Sequence, residues 1–334
     1  MRHFVIAGIL VVVTTVLVYV GLNAAGLMPV QASAQAVPID RLWNLELLTI
    51  SFLFALIVAP LGYSLAVFRR QKGDTTDAKH IEGNTNLEVS WTILPLFIVM
   101  AFAYLGAGNL AEIRRVDPEA MIVRVTGQQW SWSFEYPAYG VTTTELHAPL
   151  GKQILLQMTS RDVIHSFWVP EFRPKQDLVP GRITELRVTP TLVGNYKVRC
   201  AEICGTSHAY MEAPVIVSEQ ADFDSWMAEQ VKLAEQAAAT PEGRGQALVS
   251  ANGCAACHST NGAPGIGPTW FGLAGSQVRL TDGSVVIADD AYIHESIKAP
   301  QAKIVAGFEN QLMPTYGFPD EQIDDIVAYI KTLK

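Results

Sequence analysis

The chain has 334 residues, of which only 17% are charged, 49% are hydrophobic, and the formal net charge is -8. The low charge excludes an ordinary soluble protein, which carries about 25%, and the negative balance excludes a nucleic-acid binder, which needs a basic face. Four cysteines in two close pairs read as metal or cofactor chemistry more than as a disulfide scaffold.

Three apolar runs come first: Phe4 to Leu22, Leu45 to Phe68 and Trp91 to Gly108. The second and third reach the roughly 20 residues that a bilayer span requires, although each contains a proline, Pro60 and Pro95. The first run allows two readings. Arg2 before it and "ASAQA" (Ala32 to Ala36) after it match a cleaved signal peptide, whereas the run exceeds the usual signal core of about 7–15 residues and suits a retained helix. Between the second and third runs lie Arg69, Arg70, Lys72 and Lys79. The positive-inside rule puts that loop in the cytoplasm, although Arg114 and Arg115 dilute the asymmetry. Everything after about Val116 is therefore expected outside.

From Met121 the pattern changes to short alternating runs: "MIVRVTGQQWSWSFEYP", "QILLQMTS", "RITELRVTP", "NYKVRC" and "APVIVS". Gly151, Pro180–Gly181 and Gly194–Asn195 punctuate them. Short strands with regular turn signals predict an all-β Greek-key sandwich. The loop between its last two strands, "RCAEICGTSHAYME", holds Cys200, Cys204, His208 and Met211. Copper, zinc and a disulfide all remain open for it. Zinc accepts two cysteines and two histidines, but only copper gives the thioether of Met211 a purpose. A second thiolate beyond the one that a single copper needs suggests two bridged ions. Of the seven histidines, His165 in "RDVIHSFWVP" is the expected upstream ligand, with an apolar setting at a strand end. Its rival His147, in "ELHAPLGK", reads as a surface-loop residue.

After Ser218 an Ala- and Glu-rich stretch predicts a helix, and the Pro–Gly segment that follows predicts a linker. Beyond it, "GCAACHST" gives Cys254-x-x-Cys257-His258, the c-type haem attachment pattern. The two cysteines tether the haem and His258 is the proximal ligand. Met313, in "NQLMPTYGFPDEQ", is the expected sixth ligand, since methionine raises the haem potential. His294, in "AYIHESIK", is its rival. Asp320 is the expected N-cap of a last helix, whose Ile323, Ile326, Val327 and Ile330 form one apolar stripe. That stripe should pack on the helix "ALVSANGC". The segment from "LMP" to the last helix resembles small class I cytochromes c.

The loop "CAEICGTSHAYM" resembles the dinuclear copper loop of cytochrome c oxidase subunit II at every position of Cys-x-Glu-x-Cys-x3-His-x2-Met. "GNTNLEVSWTILP", "GQQWSWSFEYP" and "IHSFWVPEFRPKQDLVPGR" resemble further segments of that family, so the likeness runs from about residue 40 to 218. The resemblance implies a multi-domain membrane protein with transmembrane helices, a cupredoxin-like sandwich and an all-α class I cytochrome c domain. The implied divisions are 1–36, the N-terminal apolar segment; 37–115, the helical hairpin; 116–218, the copper domain; 219–243, helix and linker; and 244–334, the cytochrome domain.

It further implies that Cys200 and Cys204 bridge two copper ions, that His165 and His208 bind one each, and that Met211 and the Glu202 carbonyl complete the set. The Glu202 carboxylate resembles one that reaches a magnesium ion shared with subunit I. Trp130 or Trp132 is similar to the surface aromatic of electron entry. The family usually has a tyrosine between these tryptophans and a histidine before "QW"; here stand Ser131 and Gln128. Glu88 resembles the entry of a proton path. Glu88 and "KQD", Lys175 to Asp177, read as contact motifs for subunit I.

The implied function is electron entry into a haem–copper terminal oxidase of the bacterial cell membrane. Electrons pass from haem c to copper A and on to subunit I, where oxygen is reduced to water with proton pumping. Implied partners are subunits I and III, and as donor an external cytochrome c, a small copper protein or a quinol-oxidising complex. The alternatives are a copper-bearing subunit of a nitric oxide reductase, and a membrane-anchored metal carrier or redox sensor.

Overall fold

The computed structural model describes every residue except Gln71, Ala78, Lys79, Gln311 and Leu312. Lys79 of the expected basic loop and Leu312 of "LMP" thus lie outside the described residues. The chain forms two compact units, Met1–Arg115 and Val116–Lys334.

The first unit is helical. α1 (Arg2–Ala24) packs along α2 (Ala36–Val67), and α3 (Thr85–Ile113) meets α2. Among the described residues these three helices are long and apolar enough to cross a membrane. α2 begins nine residues before the expected run because Ser33 Oγ accepts the Ala36 N–H at 3.1 Å, which serves one of the free donors of a helix start. α3 opens on a reciprocal cap. Asn84 Oδ1 accepts from the Leu87 N–H at 3.2 Å, and Glu88 Oε1 accepts from the Asn84 N–H at 3.3 Å. α3 buries none of its residues within this chain. A helix apolar all round is matched to lipid or to a partner's helices.

The second unit contains a sandwich of two five-stranded sheets. One runs β3 (Val141–Thr143), β2 (Ser131–Tyr136), β1 (Met121–Gln128), β5 (Ile154–Ser160), β8 (Thr184–Val188). The other runs β4 (Leu146–Pro149), β10 (Glu212–Ser218), β9 (Gly194–Cys200), β6 (His165–Trp168), β7 (Lys175–Leu178). β1 lies parallel to β5 and β4 parallel to β10. These crossings belong to a Greek-key sandwich and not to a simple meander. Alternation gives the core: Val123, Val125, Phe134, Leu156, Phe167, Val198 and Val215 are all buried. β3, β4, β6 and β7 escape the sequence pattern because three or four residues are too short to establish a period of two.

α4 (Gln220–Ala238) is held against the sandwich. Its Trp226 stacks on His147 at 3.6 Å, and Tyr136 faces Phe223 and Trp226. His147 is therefore not a surface-loop residue: it is buried in β4, where its polar N–H and C=O both bond the Tyr136 hydroxyl. The expected Pro–Gly linker is also helical from its first proline. α5 (Pro241–Ala251) starts with Pro241 at the position where a missing N–H costs nothing, and Thr240 Oγ1 accepts from the Gly243 N–H at 3.1 Å.

α5 crosses α7 (Asp320–Ile330) at Gly245, where a Cβ would stand 1.9 Å from the Asp325 carbonyl oxygen. Arg244 seals the crossing with a bidentate pair to Asp325 at 2.8 and 2.7 Å. Ile323, Ile326, Val327 and Ile330 are buried with Val249, Trp270, Ile293 and Ile297. α6 (Asp290–Lys298) carries the two last of these, and a short hairpin, β11 (Gln277–Arg279) with β12 (Val285–Ile287), completes the domain. Asp320 is the first residue of α7 and not its cap. Pro319 occupies the cap position, and the Asp320 carboxylate is taken by Lys298.

Candidate metal and haem centres

β9 delivers Cys200 to one end of the sandwich, and β10 leaves that end from Glu212. The loop between them must turn there and bring its side chains together. β6 pairs with β9 so that Phe167 stands opposite Cys200, which sets His165 two residues away on the same end. The backbone locks this corner: Cys200 N–H donates to Met211 O at 3.1 Å, and Ala201 N–H donates to Ser166 O at 2.9 Å.

Cys200 and Cys204 are free thiols with their sulfurs 3.7 Å apart, well beyond the ~2.05 Å of a disulfide. His165 Nδ1 faces Cys200 Sγ at 3.8 Å; His208 Nδ1 faces Cys204 Sγ at 3.4 Å. Met211 Sδ lies 3.8 Å from Cys204 Sγ, and the Glu202 carbonyl 3.2 Å from Cys200 Sγ. Ligand atoms of His165, Cys200 and Cys204 all fall within 4.8 Å of one another, while His208 joins through Cys204. Each sulfur thus has its own imidazole. The donor set fits a pair of soft ions bridged by two thiolates better than one tetrahedral ion, and the buried thioether favours copper over zinc.

Burial and hydrogen bonding shift both thiols and His165. Burial opposes ionisation of both thiols. At Cys200, His165 and the nearby backbone overcome it and pull the thiol down; at Cys204, burial and the adjacent Cys200 charge push the thiol up. Burial would lower His165, but its bonds to Asp162 and Cys200 carry it up to about 9. Asp162 Oδ1 accepts from His165 Nε2 at 2.8 Å, which fixes the ring and points Nδ1 at the sulfurs. Asp162 was not legible as a site residue, for a carboxylate three residues from a histidine carries no periodic signal.

The two tryptophans separate. Trp132 is 2% exposed, because alternation along β2 turns it inward with Phe134 and Tyr136. It packs edge-on against Phe167, and its Nε1 donates to Met211 O at 3.3 Å. The expectation of Trp132 as a surface aromatic is corrected. Trp130 precedes β2, is half-buried, and its Nε1 donates to Cys204 O at 3.2 Å. Gln129 Nε2 donates to the same oxygen at 2.7 Å. Glu202, Ile203 and Tyr210 of the loop are all exposed.

In the haem motif, Gly253 takes a left-handed conformation (φ 64) and starts the turn Cys254–Ala256. His258 Nδ1 lies 2.7 Å from Pro268 O. A carbonyl only accepts, so Nδ1 carries the proton and Nε2 keeps its lone pair for iron. The ring stacks on Trp270 at 4.7 Å, and a Cβ on Gly267 would stand 2.9 Å from its Cε1. Burial holds His258 in its neutral form and pushes the Cys254 thiol up to about 11. Met313 is half-buried, with its carbonyl accepting from Gln301 at 3.3 Å. His294 instead faces Asp320 and Asp324 at 3.7 and 3.8 Å.

Three family descriptions match in chain order: cytochrome c oxidase subunit II, transmembrane domain, over 20–106; its periplasmic domain over 141–221; and cytochrome c over 243–334. Cytochrome c oxidase subunit 2 of a Synechocystis species is 34% identical over 267 residues, covering 65% of this chain and 80% of that protein. The chain belongs to the cytochrome c oxidase subunit II family. A cytochrome c domain is fused at its C-terminal end. Cytochrome c oxidase subunit 2 of Alkalihalophilus pseudofirmus is 28% identical over 299 residues, covering 87% of this chain and 85% of that one. The solved periplasmic domain of subunit II from Bradyrhizobium japonicum is 32% identical, covers 35% of this chain and 98% of that chain, and gives a TM-score of 0.34. As a member of this family the chain is a subunit of an oxidoreductase complex; its subunit II domain implies copper A and its cytochrome c domain implies haem c. The nitric oxide reductase alternative is not favoured by these relatives.

Proposed function

We propose that this chain is the electron-entry subunit of a haem–copper oxidase, receiving electrons at its haem c and passing them through copper A to the haem of subunit I. One observation carries the reading: a pair of free thiols, each with its own imidazole, lies in the same compact unit as a haem attachment motif. When bound, haem c and copper A would each supply a one-electron carrier. Cys200, Cys204, His165, His208, Met211 and the Glu202 carbonyl would hold the copper; Cys254, Cys257, His258 and Met313 would hold the haem. Trp130, bonded to the carbonyl of a copper-bridging cysteine, is the aromatic of electron entry.

Subunit I is the partner at the copper loop. Exposed Ile203 and Tyr210 offer it apolar contact, and the exposed Glu202 carboxylate offers a magnesium ligand at that junction. Lys175 to Asp177 lie on β7, an edge of their sheet. Glu88, which caps α3, is the candidate for proton-path entry. The helices span the bacterial cell membrane, with the sandwich and the haem domain outside. Oxygen reduction and proton pumping take place in subunit I, with subunit III as a further neighbour, and an external cytochrome c, small copper protein or quinol-oxidising complex is the donor. The fused domain replaces a bimolecular encounter by an intramolecular one at high effective concentration.

The test is metal analysis and spectroscopy of the purified complex. Two coppers with a mixed-valence signal and one haem c are expected on this subunit. Stoichiometric zinc, or one copper, would overturn the reading.

A further inference from the structure

A small polar contact joins the end of β1 and the turn after β5 to the start of the haem motif. Gln128, the last residue of β1, donates through Nε2 to the carbonyl of Asn252. Arg161, in the turn after β5, donates through Nη1 to Asn252 Oδ1 and, at 3.4 Å, to Gln128 Oε1. Gln128 and Asn252 are both buried, so their amides have given up water and find partners across the contact instead. Gly253 sits directly on Ser131. A Cβ on Gly253 would overlap Ser131 Oγ and stand 2.7 Å from Gln128 Nε2. Glycine is needed there twice, for its left-handed φ and for the close approach.

The neighbours of these residues matter as much. Asp162, next to Arg161, holds His165. Gln129 and Trp130, next to Gln128, bond the carbonyl of Cys204. On the other side, Gly253 precedes Cys254. Every residue of the contact therefore lies within a residue or two of a group that carries a cofactor or bonds one that does. Gln128 and Ser131 are also the two positions where the chain departs from its family's aromatic segment. A tyrosine at 131 would fill the space that Gly253 occupies.

We propose that Gln128, Ser131 and Arg161 form a receptor for the chain's own haem domain, with Asn252–Gly253 as the complementary element, so that the haem motif is seated on the side of the sandwich that carries Trp130. The surface is thereby committed to the tethered domain. The inference rests on the proposed electron route only for its purpose; the contact is tested separately.

The experiment is hydrogen exchange on the purified oxidase complex, with each side of the contact read from the other. In Arg161→Ala and in Ser131→Tyr, amides of 248–254 should exchange about fivefold faster or more. In Asn252→Ala, amides of 128–131 and 160–163 should do the same. The double variant Arg161→Ala with Asn252→Ala should be no looser than either single one, since both remove the same link. Unchanged exchange across the contact, in variants that keep their copper and haem, overturns the proposal. If Arg161→Ala fails to retain copper, Asn252→Ala decides alone, because it leaves the sandwich sequence untouched. Haem-to-copper transfer in the unmodified complex tests the electron route whatever the exchange result.

Discussion

Asp162 Oδ1 lies 2.8 Å from His165 Nε2, and the opposite nitrogen of the same ring faces Cys200 Sγ at 3.8 Å. The carboxylate is itself held by the N–H groups of Gln129 and Val163, both at 2.7 Å. These bonds outweigh burial and keep the Asp162 carboxyl below its usual range. It is a positioning residue for a metal ligand. Asp162→Ala should weaken copper binding about 10–100-fold, with a changed copper spectrum but unchanged haem content. Asp162→Asn retains an acceptor and should lose less. Equal copper affinity in all three proteins would remove Asp162 from the site.

Cys204 links much of the cluster: Cys200, His208 and Met211 by its sulfur, Trp130 and Gln129 by its carbonyl. Cys204→Ser should abolish the mixed-valence copper signal. Met211→Leu should keep the copper pair with a shifted spectrum, because the thioether is the weak ligand. Copper counting per chain distinguishes the two. A Cys204→Ser protein that still shows the paired signal would rule out bridging.

Met313→Ala should convert the haem from a low-spin spectrum to one lacking its methionine-linked band, while His258 still holds the iron from the other side. His294→Ala, at the rival position, should leave the spectrum alone. The reverse outcome would transfer the axial role to His294.

His147 predicts a pH effect on the seating of α4. Burial against Trp226 lowers its pKa from 6.5, and the bond to Glu145 only partly opposes this. The unfolded chain therefore takes up the proton first. The stabilisation from this histidine is complete above about pH 6.5 and is lost as pH falls from there towards the lowered folded value. Protection of α4 amides should drop over that window, and His147→Phe should flatten the response. A flat profile in the unmodified protein would contradict the assignment.

Gly245 marks the tightest crossing of the haem domain. Gly245→Ala puts its Cβ 1.9 Å from the Asp325 carbonyl oxygen, and neither backbone can yield without breaking its helix. Overpacking of this kind costs about 1–3 kcal/mol. Thermal unfolding followed at the haem absorbance should shift down by several degrees, roughly 4–8 °C per kcal/mol in a domain of this size. No shift would mean that α5 and α7 are further apart.

By itself the sequence determined the chemistry and the order of parts. Apolar runs, alternating strands, the spacing of Cys200, Cys204, His208 and Met211, and Cys254-x-x-Cys257-His258 are all local patterns, written within a turn, a strand or a loop. It also located the stripe of α7, since a period of 3.6 is visible along the chain. Only the tertiary structure decided which tryptophan is buried, that His147 is a core residue under α4, that Asp162 orients His165, and that Asn252–Gly253 rests on Gln128, Ser131 and Arg161. Each of these depends on residues that the fold brings together across strands or domains. Contacts made at such separations leave no spacing in the sequence; sheet order and helix crossing create them.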